Sequence, residues 1–149
     1  MLAVGEEAPD FTGTTADGSP LTLSSLRGRP VILYFYPKAD TAGCRREARG
    51  FTDLYPDLAR QGHAVVGVSV DPVEAQEHFR QSCGIPFPLV ADRDGSIARK
   101  YGVLGMFGLA KRITFFLDAN GRVLEVVQGL LPGPHVRRAA ERAGVRPPD

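Results

Sequence analysis

One cysteine in this chain sits where a thiolate would be stabilised. Residues 35–44 read Phe-Tyr-Pro-Lys-Ala-Asp-Thr-Ala-Gly-Cys. An apolar run stops at Pro37, a short polar turn follows, and Cys44 falls in the first turn of a helical pattern beginning near Thr41. Backbone N–H groups in a first helical turn have no partner within the helix, and the helix dipole is positive at that end. Both effects favour the thiolate, the nucleophilic form of cysteine. Arg45, Arg46 and Arg49 add positive charge nearby. The carboxyl end of a strand in an α/β sheet is also where ligand crevices form. Free cysteines often pack as small inert hydrophobes, but Cys44, beside Gly43 and two arginines, reads as lying off the apolar stripe of its helix.

The second cysteine, Cys83, ends the next helical pattern. Two cysteines cannot staple a scaffold, and a reducing compartment disfavours a structural bridge, which leaves packing or redox chemistry. A thioredoxin-type disulfide oxidoreductase uses Cys-x-x-Cys; here Thr41 stands in the first position, and no other pair has that spacing. His63, His78 and His135 are scattered and none has a second ligand at metal spacing, so no metal is expected. The net charge of +1 gives no pull towards nucleic acid or an anionic membrane. The longest apolar runs, 31–36 and 113–117, are too short to cross a bilayer. The first seven residues lack the basic and apolar regions of a secretory signal, so the expected location is cytoplasmic.

The elements that must position Cys44 follow from periodicity. Residues 9–23 suggest a hairpin turning at Asp17-Gly18. The run 31–36 is short and β-rich, as expected of a strand buried on both faces. From about Thr41 to Arg60, Ala48, Phe51, Leu54, Tyr55 and Leu58 recur at helical spacing, with Pro56 expected to kink or restart the helix. Residues 64–70 form a second buried strand, and Asp71-Pro72 opens a helix to Cys83. Leu89-Val90 reads as a short edge strand, followed by a small helix ending at Tyr101. Residues 113–117 and 123–127 flank Asp118-Ala119-Asn120-Gly121 as a second hairpin, and 134–143 is a last helix. The expected fold is α/β: a central mixed sheet flanked by helices, with an N-terminal β-hairpin, the arrangement that the resemblance described next identifies as thioredoxin-like. One domain over residues 1–144 and a short Pro-rich, disordered tail at 145–149 complete the expectation.

The spacing Pro37-x-x-x-Thr41-x-x-Cys44 resembles the active-site signature of peroxiredoxins. The wider string from Phe35 through Cys44, with Glu47-Ala48 and Phe51, is similar to the bacterioferritin comigratory protein or peroxiredoxin Q branch. So are Ala8-Pro9-Asp10-Phe11, Phe87-Pro88-Leu89, Tyr101-Gly102-Val103 and residues 112–118. This resemblance implies a thiol peroxidase reducing hydrogen peroxide and organic hydroperoxides, without a cofactor. Cys44 would be the peroxidatic nucleophile and pass through a sulfenic acid. Thr41 and Arg112 would bind the peroxide, the amides of Gly43 and Cys44 would act as an oxyanion hole, and Pro37 would shield the sulfur. Thioredoxin or a low-molecular-weight thiol would restore the enzyme, which in this branch is usually a monomer or a loose dimer; a monomer is expected. For each helper a purely structural role stays open: a helix cap for Thr41, a strand stop for Pro37, a surface arginine for Arg112.

The resemblance leaves Cys83 open. The resolving cysteine that often lies five residues after the first is replaced by Arg49, and the alternative position on the following helix aligns with Arg80, three residues before Cys83. Cys83 therefore resolves Cys44 in an intramolecular disulfide, or packs in the core of a one-cysteine enzyme, or bridges two subunits. The 105–111 loop is apolar where relatives are more polar, and is expected to border the site and admit alkyl hydroperoxides. A thioredoxin-like oxidoreductase and a non-enzymatic redox sensor are the competing functions.

Overall fold

A computed structural model describes residues 1–148. The strands are β1 (Thr12–Thr15), β2 (Pro20–Thr22), β3 (Val31–Phe35), β4 (Ala64–Ser69), β5 (Leu89–Ala91), β6 (Ile113–Leu117) and β7 (Val123–Gln128). The helices are α1 (Ala42–Arg60), α2 (Val73–Cys83), α3 (Ser96–Lys100) and α4 (Pro132–Ala143). The strands form one mixed sheet in the order β2-β1-β5-β4-β3-β6-β7. β3 runs parallel to β4 and antiparallel to β6, and β4 runs parallel to β5.

β3 explains the layering. All five of its residues are buried, and side chains alternate between faces along a strand. Val31, Leu33 and Phe35 join Phe11, Tyr101 and Phe115 in the core on the α3 side. Ile32 and Tyr34, with Tyr36 beyond the strand, join Phe51, Phe79 and Val136 in the core under α1, α2 and α4. The thioredoxin-like α/β sheet expected from the sequence is present, N-terminal hairpin included.

Three details differ from expectation. β5 is internal rather than an edge, because β1 pairs with it through Thr14↔Ala91 and Thr15↔Val90 and pushes the edge out to β2. α1 continues through Pro56 as one helix, its stripe of Phe51, Leu54 and Leu58 held in the core on both sides of the proline. α4 begins two residues earlier than expected, with Pro132 in its first turn, a position where the missing proline N–H costs no helical bond. Gly144 closes α4 in a left-handed conformation and the Val145 N–H returns to the Ala140 carbonyl. Asp149, the last residue of the tail expected to be disordered, lies outside the described residues.

No described helix is long and apolar enough to cross a membrane.

Candidate active site

β3 delivers the chain to a loop, and the loop delivers Cys44. Pro37 ends the strand, the Ala39 N–H donates to Asp71 Oδ2 at 2.7 Å, and Asp40 adopts a left-handed backbone with φ of 66°. That conformation is costly for a residue with a Cβ, though aspartate tolerates it better than most. A buried chain of side chains holds this loop against the sheet. Tyr36 donates to Gln76, Gln76 donates to Ser69 Oγ at 2.8 Å, and Ser69 donates to Asp71 at 2.6 Å.

Thr41 is the N-cap of α1, with an extended backbone, and the first helical bond runs from the Arg45 N–H to the Thr41 carbonyl at 2.8 Å. The amides of Ala42, Gly43 and Cys44 thus precede the ladder. Thr41 Oγ1 caps nothing; it donates to the Lys38 carbonyl at 2.8 Å. Cys44 is only 2 % exposed and belongs to the same core cluster as Ala48, Phe51 and Leu58. It therefore continues the apolar stripe of α1, contrary to the sequence expectation. Steps of three and four along a helix keep one face, and Cys44 to Ala48 to Phe51 follows those steps.

Arg112 comes from the far end of the chain to the same place. The β3–β6 register pairs Phe35 with Ile113, so Arg112 lies at the end of the sheet where β3 enters the loop. It is 7 % exposed. Its Nη2 donates to Cys44 Sγ at 3.5 Å, its Nη1 to Glu47 Oε1, and its Nε to the Leu130 carbonyl at 2.8 Å. Gly43 makes room: a Cβ there would stand 3.1 Å from Arg112 Nη2.

Sequence reasoning gave no role to Glu47 or to His135, both fully buried. Burial raises the Glu47 carboxyl, and the Arg112 charge and hydrogen bond offset only part of this, leaving it at about 8. Its Oε2 has no hydrogen-bond partner. His135 Nδ1 lies 3.9 Å from that oxygen and 2.8 Å from Thr114 Oγ1. Its Nε2 is 2.9 Å from the Gly129 carbonyl. A carbonyl only accepts, so Nε2 carries the proton and the Thr114 hydroxyl donates to Nδ1. Burial lowers the His135 pKa, in keeping with this neutral ring. The available signal was a glutamate one turn after Cys44 on an otherwise apolar helix face.

Beside the guanidinium is a cavity of about 350 Å³, lined by Pro37, Met106, Leu109, Ala110, Arg112 and Leu130. The 105–111 loop therefore borders Arg112, with Met106 and Phe107 exposed. Cys83, the last residue of α2, is half-buried, and both cysteines are free thiols. Arg45 donates to Ser82 Oγ at 2.9 Å and also pairs with Asp40, which ties the first turn of α1 to the last turn of α2.

This arrangement can be set beside known proteins. The AhpC/TSA family model matches residues 4–126. The chain belongs to that family. The putative peroxiredoxin bcp of Coxiella burnetii is 39 % identical over 148 residues, covering 95 % of this chain and 98 % of the relative. The peroxidoxin BcpB of Mycobacterium tuberculosis superposes with a TM-score of 0.89 at 35 % identity, covering 98 % of this chain and 99 % of that one. The bacterioferritin comigratory protein of Xanthomonas campestris gives a TM-score of 0.86 at 28 % identity, covering 97 % and 96 %. Within the family this peroxiredoxin falls in the bcp and peroxiredoxin Q branch, and its function is that of a thiol-dependent peroxidase.

Proposed function

We propose that Cys44 is the peroxidatic nucleophile and that Arg112 and Thr41 bind the peroxide. The observation that carries this assignment is the 3.5 Å approach of Arg112 Nη2 to Cys44 Sγ, made by residues 68 apart in the chain. The thiolate attacks the terminal peroxide oxygen, a sulfur–oxygen bond forms and the O–O bond breaks. Cys44 leaves as the sulfenic acid, and the departing oxygen takes a proton to become water or an alcohol. Negative charge grows on the leaving oxygen during this step, and Arg112 and the free amides at the start of α1 lie where they can meet it. Pro37 walls the cavity beside the guanidinium. Glu47 and His135 touch no substrate in this scheme; they hold Arg112 and the turn beneath it.

Cys83 then resolves the sulfenic acid: its thiol displaces water and forms the Cys44–Cys83 disulfide, which thioredoxin or another dithiol reduces. Each cysteine stands in a terminal turn of its helix, and helix ends open at lower cost than helix middles. Opening is required, because disulfide geometry needs the two Cα atoms within about 7 Å. The apolar cavity beside Arg112 favours organic hydroperoxides, in line with the alkyl peroxide reduction reported for the X. campestris relative. We take the protein to act as a cytoplasmic monomer.

Replacing Cys44 by Ser should abolish consumption of both hydrogen peroxide and cumene hydroperoxide; activity at the parental rate would overturn the assignment. Cys83→Ser should still form sulfenic acid once but lose turnover with thioredoxin and its reductase, and should over-oxidise more readily. Undiminished turnover would dismiss Cys83 as the resolving thiol. A clear kinetic preference for hydrogen peroxide over cumene hydroperoxide would dismiss the apolar subsite.

A further inference from the structure

The surface of α1 away from the sheet carries two arginines, Arg46 and Arg49, that make no hydrogen bond to Cys44 or Arg112. α4 crosses α1 at Gly50, where Val136 packs so closely that a Cβ on the glycine would fall 2.8 Å from it. Beside this crossing the two helices leave a groove of about 600 Å³, within the roughly 300–1,000 Å³ of small-molecule sites. Arg46 and Arg49 line it from α1 and Arg137 from α4, with Pro132 and Pro148 among its apolar walls. Arg137 folds back along its own helix, its Nη2 lying 3.6 Å from where a Cβ on Gly133 would stand.

Eight of the fifteen arginines make no ion pair among the described residues, and three of those eight line this groove. Arg27, Arg45, Arg60, Arg80, Arg112, Arg138 and Arg142 each meet a carboxylate. Among the described residues, Arg46, Arg49 and Arg137 meet none, and Asp53 is the one acidic residue lining the groove. The whole chain carries a net charge of only +1, so this is a local surplus and not a generally basic surface. Like charges gathered in a concave wall focus a positive field and concentrate anions there.

We propose that the groove between α1 and α4 binds a small polyanion, a molecule with two or more carboxylate or phosphate groups, held by Arg46 and Arg49 on one side and Arg137 on the other. Guanidinium forks take carboxylate and phosphate oxygens two at a time. A ligand with two anionic groups can engage both helices at once, whereas a single chloride neutralises one arginine. The groove shares no lining residue with the cavity beside Arg112, and it reaches the first turn of α1 at Ala42 and Arg45.

The test is isothermal titration of the full-length reduced protein with pyrophosphate and, separately, with citrate, at low and at physiological salt. Saturable one-to-one binding of either anion is expected, with pyrophosphate reporting a phosphate ligand and citrate a carboxylate one. Arg49→Ala and Arg137→Ala should each weaken it by about tenfold or more, with Arg137→Gln in reserve should the alanine variant fold poorly. Peroxide consumption driven by dithiothreitol should be unchanged in the Arg137 variants, which shows that the fold and the Cys44 site are intact. The proposal is overturned if neither anion gives a saturable signal, or if binding survives both substitutions undiminished. It is also overturned if only a long polymer such as polyglutamate binds, which would reassign the groove to an acidic protein surface.

Discussion

Arg112→Lys keeps the positive charge and removes the fork, so it separates charge from geometry. The native guanidinium reaches in three directions at once: Nη2 to Cys44 Sγ at 3.5 Å, Nη1 to Glu47, and Nε to the Leu130 carbonyl at 2.8 Å. A lysine carries its three donors on one nitrogen and cannot span a sulfur, a carboxyl group on α1 and a carbonyl in the β7–α4 turn. With one nitrogen for three separate partners, it cannot keep Glu47 and the Leu130 carbonyl and still reach the sulfur. Losing one preorganised donor to charge that develops in a transition state costs about 2.7–4 kcal/mol, or about 10²–10³-fold in rate. The second-order rate constant for oxidation of Cys44 by hydrogen peroxide should fall by that factor. Stability should fall by about 1–3 kcal/mol, because the Leu130 carbonyl loses its donor. The chain has no tryptophan, so quenched flow with mass detection of trapped sulfenic acid is the suitable assay, with urea unfolding followed by circular dichroism. A folded Arg112→Lys protein reacting within a factor of about three of the parent would show that positive charge alone suffices, and the geometric argument would fail.

Glu47→Gln tests the other half of the pair. The folded carboxyl stands at about 8 against an ordinary 4.5. Between those values the unfolded chain has released a proton that the folded chain keeps, so stability falls as pH rises through that range. The loss is complete once pH passes the folded value. Glutamine removes this component, so the gap between parental and variant unfolding free energies should change across that window; parallel curves would refute the burial of a raised carboxyl. Gly67→Ala probes the sheet beneath the loop. Gly67 pairs with Tyr34 on one side and Leu89 on the other, and a Cβ there would fall 2.8 Å from Leu89 Cδ2 and 3.1 Å from the Tyr34 ring. Overpacking of this kind costs about 1–3 kcal/mol, and a melting temperature equal to the parent's would count against so tight a contact.

Much of the candidate site is legible in the sequence. Cys44 stood out because a buried strand, a proline stop and a helix start converge on it, and all three are local signals. The same locality explains what was misread. Whether Cys44 lay on the apolar stripe depended on where the helix began, which periodicity does not fix to the residue. β5 looked like an edge because its neighbour β1 lies some 75 positions earlier, at residues 12–15, and three-residue strands carry no mark of their partners. Glu47 and His135 escaped assignment for a related reason. A lone buried acid and a lone buried histidine look like surface residues until Arg112 and Thr114 are brought to them by β6, and only the β3–β6 register does that.

That register also has a consequence for biosynthesis. Cys44, the proposed nucleophile, is translated 68 residues before the arginine that meets it, so a growing chain holds this thiol without its guanidinium through the making of β4, α2 and β5. Only when β6 zips alongside β3 does the guanidinium arrive. Slipping that pairing by one residue would turn Arg112 to the opposite side of the sheet. Peroxide reactivity is therefore a late-maturing property of this chain, and a molecule whose final hairpin has come loose falls silent while most of its architecture still stands.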